Sequence, residues 1–303
     1  MENKKEKIAG VVVTYNRKEL LRECLDALLN QTHPLDSVVL IDNASVDGTQ
    51  EFLKENGHLS NPKIDYLRLP ENIGGAGGFY EGMKRGYEKG FDWLWLMDDD
   101  AIPLDDALEK LLKASRILSE NQKEGVFISN SISSQKEIKN SISSEIVQIN
   151  QAMFIGWLTP HKIINSIGFP YKDFFIYWDD IEYSKRLINH GFFIYKVCDS
   201  YIIHKSWMNQ CRKSSKILFW QVSGSIYSDW KSYYLFRNNI FFYKLNRDYL
   251  NLFKTITLRI PKEILIRLLI KDFGKIKFIL KGVIDGVLNK TGKRVSPDTK
   301  LQS

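Results

Sequence analysis

The alternation of short apolar runs with helical stretches over the first hundred residues constrains this chain more than any other feature. Residues 8–15 (IAGVVVTY) form a compact β-branched run of the kind buried on both faces of a parallel sheet. Residues 37–42 (SVVLID), 64–69 (IDYLRL) and 92–98 (DWLWLMD) read as three further strands. Between them, residues 20–31 carry Leu21, Cys24, Leu25, Leu28 and Leu29 at helical spacing, and residues 49–56 and 78–90 read as further helices. Elements of these lengths in this order build βαβ units with right-handed crossovers. The expected class is α/β, with a mostly parallel central sheet flanked by helices.

In such a sheet, ligands sit beyond the carboxyl ends of the strands. Polar groups gather at all four ends: Thr14, Tyr15, Asn16 and Arg17; Asp42, Asn43 and Ser45; Asn72 with a glycine run; and Asp98, Asp99 and Asp100. Asn, Asp and Gly are ordinary turn formers, which accounts for NASVDG at 43–48. It does not account for three successive carboxylates after WLWLM, whose repulsion calls for a compensating cation. In extended backbone Asp98 and Asp100 share a direction and Asp99 faces elsewhere. Two carboxylates beside a phosphate-bearing ligand suit Mg²⁺ or Mn²⁺, hard cations that prefer oxygen; a solvated acidic turn is the alternative. The run NIGGAGGFYEG (72–82) follows the third strand and lacks dinucleotide-fingerprint spacing. It is expected to be a turn, either admitting a ligand close to the backbone beside helix amides or purely structural.

Further along, residues 129–144 read as a hairpin or insertion, 174–177 as a strand, and 180–187 as the opening of a helix. Asp179 and Asp180 stand at its N-terminus, where the helix dipole favours carboxylates. Asp179 suits a capping role. Asp180 follows Tyr177 and Trp178, an aromatic wall on which a sugar ring can stack, and is the candidate general base. His204 closes the apolar run 196–204 and is a candidate third metal ligand, with a structural histidine as the alternative. Cys198 and Cys211 flank it without the paired spacing of a zinc site.

The net charge of +7 is unevenly spread: residues 253–294 hold eleven Lys or Arg against three acids, which leaves the body near neutral. In that segment Leu265, Leu268, Leu269 and Phe273 can form a stripe flanked by Lys271, Lys275 and Lys281. This reads either as a basic amphipathic element for an anionic membrane surface or as a core-packing helix with a solvated basic face. The last residues, SPDTKLQS, read as a frayed tail. Three cysteines, none in CxxC, build no disulfide framework and fit a reducing compartment. No secretory leader and no spanning helix is expected from the sequence. The expected division is a catalytic domain over 1–245 and a helical basic region over 246–303.

Taken in order and spacing, TYNR, IDNASVDGT, the glycine run, DDD and WDDIE resemble family 2 glycosyltransferases of the GT-A, Rossmann-like fold over about residues 8–245. NIGGAGGF with DDDA and WDDIEYSKR is most similar to bacterial galactofuranosyltransferases, with rhamnosyltransferases as near neighbours. The resemblance implies inverting transfer from a nucleotide-sugar, here UDP-galactofuranose, in the cytoplasm at the inner face of the membrane. The acceptor it implies is a lipid-linked capsular or O-antigen oligosaccharide. Thr14, Tyr15, Arg17, Asp42, Asn43, Asn72, Asp98 and Asp99 would then hold the nucleotide. Asp98, Asp100 and His204 would bind Mn²⁺ or Mg²⁺, Asp180 would deprotonate the acceptor, and Trp157, Trp178 and Asp179 would shape its pocket. The chain is much shorter than the large polymerising mycobacterial members, which points to transfer of a single residue; a homo-oligomer stays open. Nucleic-acid binding, suggested by a pI near 9.0, fails on distribution, because the expected cleft is acidic where phosphates want Lys and Arg. A non-catalytic nucleotide-sugar sensor would bind UDP and turn over nothing.

Overall fold

A computed structural model describes residues 5–120, 123–140, 144–205, 214–217, 220–223 and 228–296. Cys211 and residues 297–303 of the expected tail lie outside them. The chain divides into two compact units: Met1–Lys172 with Asp180–Met208, and Asp173–Asp179 with Asn209–Ser303. This division differs from the expected boundary at 245, because the helix before that point packs with the C-terminal helices.

The first unit runs β1 (Ile8–Thr14), α1 (Lys18–Leu29), β2 (Ser37–Asp42), α2 (Thr49–Glu55), β3 (Ile64–Arg68), α3 (Gly74–Glu88), β4 (Trp93–Asp98), β5 (Ala101–Pro103), α4 (Ala107–Glu120), β6 (Gly125–Ile132), β7 (Ile146–Ile149), β8 (Trp157–Pro160), α5 (His161–Ile167), α6 (Asp179–Asn189, its first residue counted with the second unit) and β9 (Phe193–His204). Among the described residues these strands form one nine-stranded sheet in the order β3-β2-β1-β4-β8-β6-β9-β5, with β7 also on β9. β1, β2, β3 and β4 pair in parallel, as do β6 and β9, while β8, β5 and β7 run against their neighbours.

β1 is buried along its whole length, as a strand covered on both faces must be. Its alternate residues feed two cores. Ile8 and Val12 pack with Leu21, Leu25 and Leu28 of α1; Ala9, Val11 and Val13 pack with Phe79 and Met83 of α3 and Tyr183 and Leu187 of α6. Strand order turns around between β1 and β4, and register sets Thr14 beside Asp42 and Val13 beside Asp98. The polar ends of three strands therefore stand level at the switch point, where open α/β sheets hold ligands.

The glycine run corrects one expectation. It is no turn: α3 begins at Gly74, and its glycines lie against the sheet. A Cβ on Gly78 would stand 2.4 Å from Val13 Cγ1, one on Gly82 2.5 Å from Val11 Cγ1, and one on Gly86 2.6 Å from Leu94 Cδ2. At four-residue spacing these glycines form the face on which the helix approaches β1 and β4. Residues 129–144 are not a hairpin either. β6 and β7 do not pair with each other; they flank β9, with a 3₁₀ stretch at Gln135–Asn140 between them.

The second unit contains a hairpin of β10 (Ser214–Ile217) and β11 (Trp220–Ser223). It continues with α7 (Asp229–Leu245), α8 (Tyr249–Lys254), a π turn at Thr255–Arg259, α9 (Ile260–Leu269) and α10 (Phe273–Val287). α10 packs on α7 closely enough that a Cβ on Gly282 would lie 2.4 Å from the Tyr233 carbonyl oxygen. Residues 174–177, expected as a strand, close a 3₁₀ turn and then bend. Phe175, Tyr177 and Trp178 have φ of 65°, 62° and 73°, left-handed conformations that cost a non-glycine residue roughly 1 kcal/mol or more each. Buried Arg237 and Asn238 of α7 hold them there. Arg237 Nη2 donates to the Phe174 carbonyl at 2.8 Å, and Asn238 Nδ2 donates to the carbonyls of Phe174 (2.8 Å), Ile176 (2.7 Å) and Tyr177 (3.0 Å). Among the described residues no helix is long and apolar enough to cross a membrane.

Candidate active site

Asp98 ends β4, and Asp99 and Asp100 follow in a turn instead of continuing the extended strand. β5 then pairs with the end of β9, setting Ala101 beside His204. This pairing brings in a histidine more than a hundred residues distant: His204 Nε2 lies 3.2 Å from Asp100 Oδ1. Ligand atoms of Asp98, Asp100 and His204 all lie within 4.8 Å of one another. Two carboxylates and an imidazole gathered this tightly, two of the three residues buried, fit a divalent cation of the Mn²⁺ or Mg²⁺ kind by their donor chemistry.

Asp99 is buried and faces β1. Thr14 Oγ1 donates to it at 2.7 Å, the Tyr15 amide at 3.4 Å and Arg17 Nη1 at 3.2 Å. Arg17 Nη1 also donates to Asp100 at 2.9 Å, so this guanidinium is the compensating cation that three adjacent carboxylates require. Desolvation pushes the Asp99 carboxyl up to about 6 despite the pull of Arg17 and Thr14. Its oxygens are thus engaged by the chain itself, which gives Asp99 the part of ordering β1 against the carboxylate turn.

The other strand ends are equally built. Asp42 is buried and accepts from the Ser45 amide at 2.8 Å and from the Tyr66 hydroxyl at 2.7 Å. Asn43 holds the loop before α3 from both sides, accepting from the Ile73 amide at 2.9 Å and donating to the Gly74 carbonyl at 2.8 Å. Asn72 accepts from the Gly74 amide at 2.8 Å. Tyr66 and Arg68 were not singled out from the sequence. They alternate on β3, and register sets Arg68 beside Asp42, with Arg68 Nε 3.8 Å from Asp42 Oδ2. Their period-two spacing next to an acidic strand end was the available signal.

Asp180 opens α6, accepts from the Ile181 amide at 2.8 Å, and is pushed up to about 6 by burial, against the opposing backbone amides. α6 is anchored by Arg186, which pairs with Glu182 at 2.7 Å and donates to the carbonyls of Ile167 and Phe169. Tyr183 packs on Trp157, ring centroids 5.8 Å apart, and Trp157 is the register partner of Leu96, two residues before Asp98. That chain of contacts ties the opening of α6 to the β4 strand that carries the acidic turn. It also corrects the acceptor expectation for Trp157, which is 0% exposed. Wedged among Leu96, Phe154 and Tyr183, this indole is core and supports α6 instead of meeting a ligand. Trp178 packs on Phe242 at 5.1 Å, and Asp179 is buried.

A mostly parallel sheet of this order, flanked by helices and with acidic strand ends at its switch point, has the α/β architecture of GT-A glycosyltransferases. The chain belongs to glycosyl transferase family 2, whose family model matches residues 11–179. It is similar to galactofuranosyltransferase GlfT1 of Mycolicibacterium smegmatis, 29% identical over 205 residues, 61% of this chain and 67% of that one. GlfT1 of Mycobacterium tuberculosis is 28% identical over 203 residues, 61% of this chain and 66% of that one. The undecaprenyl-phosphate mannosyltransferase of Micrococcus luteus is 30% identical over 110 residues, 36% and 44% of the two chains. Among solved structures, GalNAc-T7 with UDP, GalNAc and Mn²⁺ shares the fold at TM-score 0.53 and 14% identity, over 67% of this chain and 44% of that one. The chain thus spans about two thirds of the galactofuranosyltransferases and under half of the solved transferase.

Proposed function

We propose that this glycosyltransferase moves galactofuranose from UDP-galactofuranose, with inversion, to a hydroxyl of a lipid-linked oligosaccharide in cell-surface polysaccharide synthesis, at the inner face of the membrane. The observation that carries the reading is the convergence of Asp98, Asp100 and His204 at the end of β4, in a chain whose galactofuranosyltransferase relatives match 61% of its length.

In this reading Asp98, Asp100 and His204 hold Mn²⁺ or Mg²⁺, which when bound supplies positive charge beside the donor diphosphate. Thr14, Tyr15, Arg17, Asp42, Asn43 and Asn72 form the nucleotide wall, most of them by fixing the backbone that lines it. Asp180 takes the proton from the acceptor hydroxyl. The acceptor oxygen forms its bond to the anomeric carbon as the bond from that carbon to the diphosphate breaks, and the electron pair leaves with UDP. A base with its affinity raised to about 6 is ionised at neutral pH and still basic enough to help. Trp178 and Asp179, which precede it in the chain, would serve the acceptor.

The matched stretch of an undecaprenyl-phosphate mannosyltransferase supports a second reading, in which the same site takes another hexose or rhamnose donor. A panel of nucleotide-sugars, assayed with Mn²⁺, Mg²⁺ and chelator, decides. Turnover of UDP-galactofuranose that stops with chelator is expected. Turnover of a different donor alone, or none, overturns the assignment.

A further inference from the structure

Among the described residues, fourteen of the nineteen large hydrophobic side chains left exposed lie between Leu245 and Leu288. They are not scattered. On α10 and its C-cap, Leu280, Ile284, Val287 and Leu288 are all exposed and follow i, i+4, i+7, i+8 spacing, one arc of roughly 100° that also carries exposed Lys277. The opposite arc of the same helix, with Phe278, Ile279, Gly282 and Gly286, is buried against the rest of its unit. α10 is therefore apolar on a covered face and on an exposed one, and the exposed apolar arc calls for a medium that covers it. Before it in the chain, Leu265, Leu268 and Leu269 of α9 and then Phe273 add a second exposed apolar stretch.

Charge decides what covers this surface. Each acid of residues 253–294 is already in an ion pair with a base of that stretch: Glu263 with Arg267, Asp272 with Arg267 and Lys275, Asp285 with Lys281 and Lys290. Lys275, expected at the flank of the stripe, is in fact buried between Asp229 and Asp272. Lys254, Lys262, Lys271, Lys277, Lys293 and Arg294 are exposed. A second copy seated on a two-fold axis would set this basic rim against itself. An anionic lipid leaflet offers both halves of the complement, acyl chains for the leucines and phosphate headgroups for the lysines.

We propose that the exposed apolar surface of α9 and α10, with its lysine rim, is a docking surface for an anionic lipid bilayer. This deepens the reading in which the acceptor is lipid-borne, and it rests on that reading only for its purpose. The test uses the full chain with phosphatidylcholine vesicles, with and without phosphatidylglycerol, and neither donor nor acceptor. Failure here therefore leaves the transferase reading standing, and the converse.

Cosedimentation with the phosphatidylglycerol vesicles is expected, weaker with phosphatidylcholine alone and falling as salt rises. Leu280→Ser with Ile284→Ser lowers partitioning by about a hundredfold, roughly tenfold per lost side chain. Lys271→Gln with Lys277→Gln lowers it about twentyfold on anionic vesicles only, roughly four- to fivefold per charge. Should the serine pair not fold, the glutamine pair on the surface carries the measurement. Absence of vesicle binding, or binding that neither pair changes, overturns the proposal. So does a dimer of the wild type in light scattering that the serine pair turns into a monomer.

Discussion

Replacing Asp180 by Asn separates catalysis from stability in opposite directions. In the folded chain this carboxyl is raised from 3.8 to about 6, chiefly because burial disfavours its charged form. Its unfolded value is lower, so its stabilising contribution is full below about pH 3.8 and is lost as pH rises through about 6. Near neutral pH the ionised side chain costs up to about 3 kcal/mol, taking roughly 1.4 kcal/mol per unit. Because the side chain keeps some exposure, solvent reduces this to about 1–2 kcal/mol. Asn keeps an oxygen for the Ile181 amide and carries no charge, so Asp180→Asn gains that amount at about pH 7.5, a rise of roughly 2–3 °C in melting temperature for a chain of this size. The gain has largely vanished by about pH 3, where the wild-type carboxyl is neutral in both the folded and the unfolded chain. Transfer, by contrast, falls by about a hundredfold or more with loss of the base, while UDP affinity stays nearly unchanged. Wild-type turnover should rise with pH through about 6 as Asp180 ionises. Thermal melts at the two pH values, paired with turnover of the accepted donor, read both effects. A variant no more stable at neutral pH would refute the burial argument, and one that retained full turnover would remove Asp180 as the base.

Chelation should abolish turnover and Mn²⁺ restore it, with Asp98→Asn and His204→Ala each needing about a hundredfold more metal, read as the activating concentration. Arg17→Ala leaves Asp99 and Asp100 without their guanidinium and should cost about 1–2 kcal/mol in denaturant titration, less than a fully buried pair because Arg17 is half exposed. Gly82→Ala forces a methyl within 2.5 Å of Val11 and 3.2 Å of Ile41, so overpacking of about 1–3 kcal/mol should exceed the helix-propensity gain. Gly75→Ala, which meets nothing within 4 Å, is the matched control and should not destabilise. Asn238→Ala removes the donor to the Ile176 and Tyr177 carbonyls, the Phe174 carbonyl keeping Arg237, and should cost about 1–3 kcal/mol in the same titration, with loss of activity because that loop leads directly into Asp180.

What was legible in the sequence follows from how each feature is encoded. The strands of the first hundred residues and α6 could be read because their signals are local: β-branched runs, helical spacing, and carboxylates at a helix start. The glycine run misled because glycine has two uses, positive φ and close approach, and only the partner surface tells them apart; Val11 and Val13 are some seventy residues away. Residues 174–177 read as a strand because Phe-Phe-Ile-Tyr has strand composition. Their left-handed conformations are imposed by Arg237 and Asn238 from the far end of the chain, which no local pattern announces. Trp157 failed for the same reason: an indole near polar residues looks like a ligand platform until the sheet shows it facing Tyr183. The Asp98 and Asp100 pair was legible through repulsion, since three adjacent carboxylates demand a cation. That Arg17 meets the demand needed the parallel register of β1 and β4.

Charge in this chain is sorted by the chemistry that each region faces. At the end of β4 the carboxylates of Asp99 and Asp100 share the Arg17 guanidinium and Asp98 adds a third acid, an acidic surplus that in the proposed reading would favour a diphosphate arriving with a divalent cation. A nucleic-acid surface would need the reverse sign there. The basic surplus sits instead on the C-terminal helices, among leucines and isoleucines that no described element covers. Averaged over the chain, the net charge of +7 hides both. Separated, they are the two observations on which the proposals rest: the acidic turn on which the transferase reading is built and the basic, apolar helices on which the vesicle proposal is built. Neutralising one should leave the other's measurement unmoved: the lysine variants should keep transfer to a soluble acceptor, and Asp98→Asn should keep vesicle binding.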